Sequence, residues 1–272
     1  MDYHVYSGQV SSGVVLSDDN MYVHWSGLAN DTVVDSTGKL FILSGGGASS
    51  TVISNGGSVL VSVGGKANSS NGGVASKTIV GSSGTLCASD GGVVCETTIN
   101  SSGRVVIYDG GVAKIASIYY GGSALVENGG MFSSAFLLGG SLTVSSGGVA
   151  DAARVMDGKL FVRSDGKARY TVVTSSGQMH VSNGGVASGT ILSSEGFVCV
   201  SRGGSAFGTV INFGGSMHVC SKAYVNVVSM NSGGSLSIAS DGVGTNIWES
   251  GGYVRVDSGA TATFGSNIIF GS

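Results

Sequence analysis

Residues 177–195 read Gly177-Gln178-Met179-His180-Val181-Ser182-Asn183-Gly184-Gly185-Val186-Ala187-Ser188-Gly189-Thr190-Ile191-Leu192-Ser193-Ser194-Glu195. The same order of residue types returns at 38–56, where Gly38-Lys39-Leu40-Phe41-Ile42 is followed by Gly45-Gly46 and Thr51-Val52-Ile53. Aligned on such copies, the chain reduces to a unit of Gly-x-Leu-x-Val-Ser-x-Gly-Gly-x-Ala-x-x-Thr-x-Val closed by a Ser/Asn/Gly turn. Further units begin at Asp19, Gly57, Gly84, Gly103, Gly122, Gly140, Gly158, Gly196, Gly215, Gly234 and Gly252, mostly 18 or 19 residues apart. Self-similarity at a fixed short period marks a chain that cannot bury a core within one unit and does so by stacking neighbours.

Each unit holds two runs in which apolar residues alternate with others, the period of a strand with one buried face. Gly-Gly and Ser/Asn pairs separate the runs, and the glycines permit positive φ at the corners. These features predict an all-β, single-stranded parallel β-helix, or β-solenoid, of about 13 coils of roughly 19 residues, with two strands per coil. At about 4.8 Å per coil the rod is roughly 60 Å long. Leu40, Val59, Leu86, Val105, Leu142, Leu160, Met179, Val198, Met217, Leu236 and Val254 should line the interior, with Ile42, Val61, Val144, Val162, Val181 and Val200 beside them. Ala48, Ala67, Ala113, Ala150, Ala168, Ala187 and Ala206 recur where the coil turns inward, and a larger side chain there should overpack it.

Residues 1–18 read as an N-terminal capping half-coil and 19–272 as the repeat domain. The step from Gly57 to Gly84 is 27 residues, because Gly64-Gly65-Lys66-Ala67 is echoed by Gly72-Gly73-Val74-Ala75. The surplus predicts a projecting loop near 64–71.

Composition excludes several classes. Of 272 residues 49 are glycine and none is proline, and a formal charge of −3 with 13 Lys plus Arg offers no basic stripe for nucleic acid. Glycine without a Gly-X-Y period is not collagen, and 42% hydrophobic residues are not a disordered linker. No secretory signal is read at Met1-Asp2-Tyr3-His4, and no apolar run is long enough to span a bilayer as a helix. Four cysteines, Cys87, Cys95, Cys199 and Cys220, are too few for a disulfide scaffold.

Outward positions stack into rows. One row, Tyr22, Phe41, Leu60, Cys87, Val106, Leu125, Thr143, Phe161, His180, Cys199, His218, Ser237 and Arg255, is unusually apolar. It reads either as a binding or self-association surface, with Tyr22, Phe41, Leu60 and Phe161 its large members, or as a second buried layer. Within it His180, Cys199 and His218 fall on successive coils and form a candidate zinc set, although no short metal-ligand spacing supports them. A Cys199–Cys220 disulfide is disfavoured by their diagonal offset.

Asp90 and Asp109 stack with Asn128 and Asn183 in register, and read as turn residues before they read as a glycosidic carboxylate pair. No nucleophile triad, phosphate loop or cofactor fingerprint is present in the sequence, so no cofactor is expected. Serines crowd the turns, and Ser49, Ser101, Ser145, Ser175 and Ser193 are candidate sugar acceptors or simply corner residues that bond the backbone.

The alternation of Gly-Gly-x-Ala-x-x-Thr-x-Val with Ser-Gly-Gly-x-Leu-x-Val resembles the passenger repeat of AIDA-type autotransporter adhesins. The best copies are 38–56, 177–195 and 196–214, while 215–233 and 234–251 have lost one or both glycines of the central pair. The resemblance implies a non-enzymatic β-helix displayed at the bacterial cell surface. Its implied partners are a host-cell or bacterial receptor, or sister copies, and a glycosyltransferase that adds sugar to repeat serines. The membrane barrel that such proteins carry is not found in this sequence. A β-helix that binds or degrades polysaccharide is the alternative reading.

Overall fold

A computed structural model describes residues 1–265 apart from 44, 62–65, 68–77, 82, 128, 146, 164 and 183. The described residues form strands and turns without a helix. Fourteen short strands, from Asp2–Val5 to Tyr253–Val256, stack in chain order as one sheet. Each pairs in parallel with the strand one coil earlier and one coil later, as Lys159–Val162, Gln178–Val181 and Phe197–Val200 do. A second sheet of 21 strands carries the rest of every coil. The expected parallel β-solenoid is the observed fold.

Each coil has three straight segments where alternation predicts two strands. The run from Gly-Gly to the end of Thr-x-Val is bent once, at a residue with left-handed backbone. Asp31, Ser50, Glu96, Ile115, Ser134, Ala152, Tyr170, Val227 and Asn246 all hold φ between +46° and +57° at this place. In some coils the bend splits the run, as between Gly47–Ser49 and Val52–Ile53. In others one strand continues through it, as in Tyr224–Asn231. The cross-section therefore has three faces: the fourteen-stranded one and two arms of the second sheet.

The core is a set of vertical columns. The predicted first-face positions from Leu40 to Leu236 are at most 2% exposed, as are Ile42, Val61, Val144, Val162, Val181 and Val200. Val254 is only partly buried. Ala48, Ala113, Ala150, Ala168, Ala187 and Ala206 are buried too, but their column accepts larger groups where the facing strand shrinks. Phe132 occupies it fully buried, in the coil where Ala124 replaces the usual Leu or Val. Val94 does so beside Ala88. Exchanging large for small across one coil keeps core volume constant, so the expected overpacking is avoided.

Residues 1–18 are not a half-coil. Asp2–Val5, Val10–Ser12 and Val15–Ser17 supply all three segments and pair with Asn20–Val23, Leu28–Asn30 and Val33–Asp35, so the array starts one full turn earlier than its glycines indicate. The loop expected at 64–71 lies outside the described residues except for Lys66–Ala67. Those two form strand rather than loop, paired with Gly47–Ala48 and Val93–Val94.

The two glycines of a pair do different work. Gly184 has φ of +81°, whereas Gly185 is fixed by contact: a Cβ there would lie 2.4 Å from the Val162 carbonyl oxygen of the preceding coil. Coils stacked at strand spacing leave no room for a side chain at that place.

Candidate functional surface

The outward row of the first face is a single column. Tyr22 pairs with Phe41, Phe41 with Leu60, Leu60 with Cys87, and the series continues through Phe161, His180, Cys199 and His218 to Arg255. His4 extends it by one coil. Strand alternation turns these side chains away from the core. All are partly or well exposed except Val106, at 2%. The row is therefore exterior and not a second core layer.

Its rings satisfy one another. His4 stacks on Tyr22 at 5.1 Å and Tyr22 on Phe41 at 4.8 Å, and Phe161 stacks on His180 at 5.4 Å. His4 Nδ1 lies 3.1 Å from His24 Nε2, and the Arg163 guanidinium sits 4.8 Å above the Phe161 ring. Rings stacked along the rod turn their faces to each other and their edges to solvent. Burial, reinforced by Lys159 and Arg163, holds the His180 imidazole below its usual pKa and favours the neutral ring.

The proposed zinc set does not assemble. His180, Cys199 and His218 occupy successive register positions, yet no three His, Cys, Asp or Glu side chains converge among the described residues. Cys199 and Cys220 do meet, with their sulfurs 3.6 Å apart. The diagonal offset separates their backbones, but the two side chains reach toward each other across it. Cys87, between Leu60 and Val106, has no such partner in register, and burial pushes its thiol pKa up.

One surface escapes the sequence reading. On the third face Val15, Val33, Val52 and Ile79 form an outward column over four successive coils. Val172, Ile191 and Val210 form another over three. Val15 is 55% exposed and Ile191 40%. Beside them the buried threonines of the motif, such as Thr51, Thr171 and Thr190, point inward, and their hydroxyls find no partner. In Thr-Val-Ile and Thr-Ile-Leu the inward and outward positions are both apolar, so alternation is lost. The recurring Val/Ile between Thr and the buried aliphatic was the available signal.

The serine candidates fall on different columns. Ser101 and Ser175 stand exposed at the corner leading into the first-face strands Arg104–Ile107 and Gln178–Val181. Ser49, Ser145 and Ser193 are half-buried at strand ends, and the Ser145 hydroxyl donates to Glu127 Oε1 at 3.5 Å. Asp90 is a turn residue with φ of +50°, its N–H donating to the Asp109 carbonyl at 2.7 Å. Asn128 and Asn183 lie outside the described residues. A shallow recess of about 390 Å³ beside Tyr120 and Gly139 is lined by one carboxylate, Asp157, and by Lys159, so it lacks the carboxylate pair that glycosidic cleavage uses.

Residues 164–215 match the family model described as adhesin of bacterial autotransporter system, probable stalk. Over nearly its whole length the fold is similar to a solved fragment of TibA, hyper-glycosylated by TibC. The TM-score is 0.91 and the identity 32%, covering 96% of this chain and 94% of that one. The chain belongs to the AIDA family of autotransporter adhesins. No curated protein matches it in sequence. As an AIDA-family passenger it is a β-solenoid of the bacterial cell surface.

Proposed function

We propose that this AIDA-family module acts without catalysis, as a rigid rod that attaches cells through its long sides, to a surface receptor or to a second copy of itself. The observation that carries the reading is the pair of Val/Ile columns on the third face. Apolar side chains in line over four coils present a continuous strip at fixed spacing, and such strips mark contact surfaces. Stacked rings on the first face are partly spent on each other, which makes the aliphatic strip the stronger contact. Cells displaying the chain with Val33→Thr, Val52→Thr and Ile79→Thr should aggregate and adhere at least about 10-fold less. Thr98 already occupies this column, so the fold should persist. Undiminished adhesion by a folded triple variant would sink the strip as the contact.

Serine glycosylation is part of the same reading, supported by the TibC-modified TibA fragment and by the exposure of Ser101 and Ser175. A glycosyltransferase is the implied partner. Hexose or heptose increments on peptides carrying these residues, measured on protein from its native host, are the expected result. An unmodified mass would remove glycosylation and leave the apolar strip as the adhesive element.

A further inference from the structure

We propose that Cys199 and Cys220 form a reversible disulfide that staples two successive coils on the outside of the rod. Cys199 lies in Phe197–Val200, and Cys220 directly follows Ser216–Val219, the strand paired with it. Their sulfurs are 3.6 Å apart and both residues are partly exposed, so an oxidant reaches them without unfolding the coil. The Ser201 hydroxyl lies 3.5 Å from Cys199 Sγ and can donate to a thiolate there. The pair stands at an atypical corner. Ala223 occupies the place where most other coils hold a glycine fixed by the preceding carbonyl.

Closure is thiol–disulfide exchange with an external low-molecular-weight disulfide. One thiol loses its proton and attacks the external disulfide, giving a mixed disulfide and releasing one thiol. The second thiolate then displaces the other half. Two cysteine thiols are oxidised, two protons are lost, and the external disulfide is reduced to two thiols. Burial and the neighbouring Cys199 raise the Cys220 pKa, so closure quickens as pH rises. Both residues are partly exposed, and an accessible disulfide is readily reduced again. Surface-displayed proteins work where such bonds persist.

Serine is tolerated at both places. Ser237 shares the Cys199 column, and Ser201 pairs beside Cys220. Cys199→Ser and Cys220→Ser should therefore fold and serve as controls. The purified chain is incubated with oxidised glutathione, quenched with acid, unfolded and alkylated. The expected result is a mass lower by about 2 Da before alkylation and, after it, one peptide linking Cys199 to Cys220 with alkylation confined to Cys87 and Cys95. Tm of the oxidised protein should rise by about 5 °C, a shift absent in either serine variant. Alkylation at Cys199 and Cys220 after oxidation, or glutathione adducts that persist on both, would overturn the proposal, as would a link to Cys87 or Cys95.

Discussion

The Gly-Gly corner and the left-handed bend of the second sheet turn the same chain in every coil, yet they leave opposite marks on the sequence. At the first, Gly185 packs under a carbonyl that a Cβ would meet at 2.4 Å, so the residue type is dictated by the coil beneath. At the second, φ is held near +50° by side chains as different as Asp31, Glu96, Ile115, Tyr170 and Val227. Those side chains point outward, with Tyr170 69% and Val227 43% exposed. A corner is selective for glycine where it is crowded, and backbone angle alone costs too little to exclude other residues from a stacked array.

That contrast can be broken by substitution. Gly185→Ala should lose about 3 kcal/mol in chemical denaturation, because the obstacle is backbone and cannot rotate away. A loss under about 1 kcal/mol would mean that coils shift apart easily. Val227→Gly should gain about 1 kcal/mol, since a β-branched residue in left-handed geometry is strained and Gly208 holds the same place one coil earlier. A destabilised Val227→Gly would show that the outward side chain, not the backbone, holds the bend. Next to the bend, Thr190→Val should be neutral or stabilising by up to about 1 kcal/mol, because the buried hydroxyl has no partner. Val228 stands in the column shared by Thr209 and Thr190, so the shape is already accepted. A clear loss of Tm in that variant would reveal a hydrogen bond at the hydroxyl.

The same physics explains how much was legible. The glycine-marked corners gave the period, the parallel stacking and the inward columns from Leu40 to Leu236. The outward row from Tyr22 to Arg255 followed, because strand alternation is strict on that face. The third segment was hidden because its corner accepts any side chain. The Val/Ile column of the third face was hidden because Thr-Val-Ile carries apolar groups on both sides of the strand. The first coil was hidden because residues 1–18 form their three segments with few of the motif's glycines.

Periodicity alone determined that this chain is a stacked β-solenoid, since no other arrangement buries short apolar runs repeated every 18 or 19 residues. The Gly-Gly-x-Ala unit pointed to its adhesin family. Which outward groups touch was decided only in three dimensions. Tyr22 stacks on Phe41, and Cys199 meets Cys220 while His180 and His218 stay apart. Register brings each of these residues to the neighbouring coil, but a contact needs side-chain reach and direction, which repeat spacing does not encode.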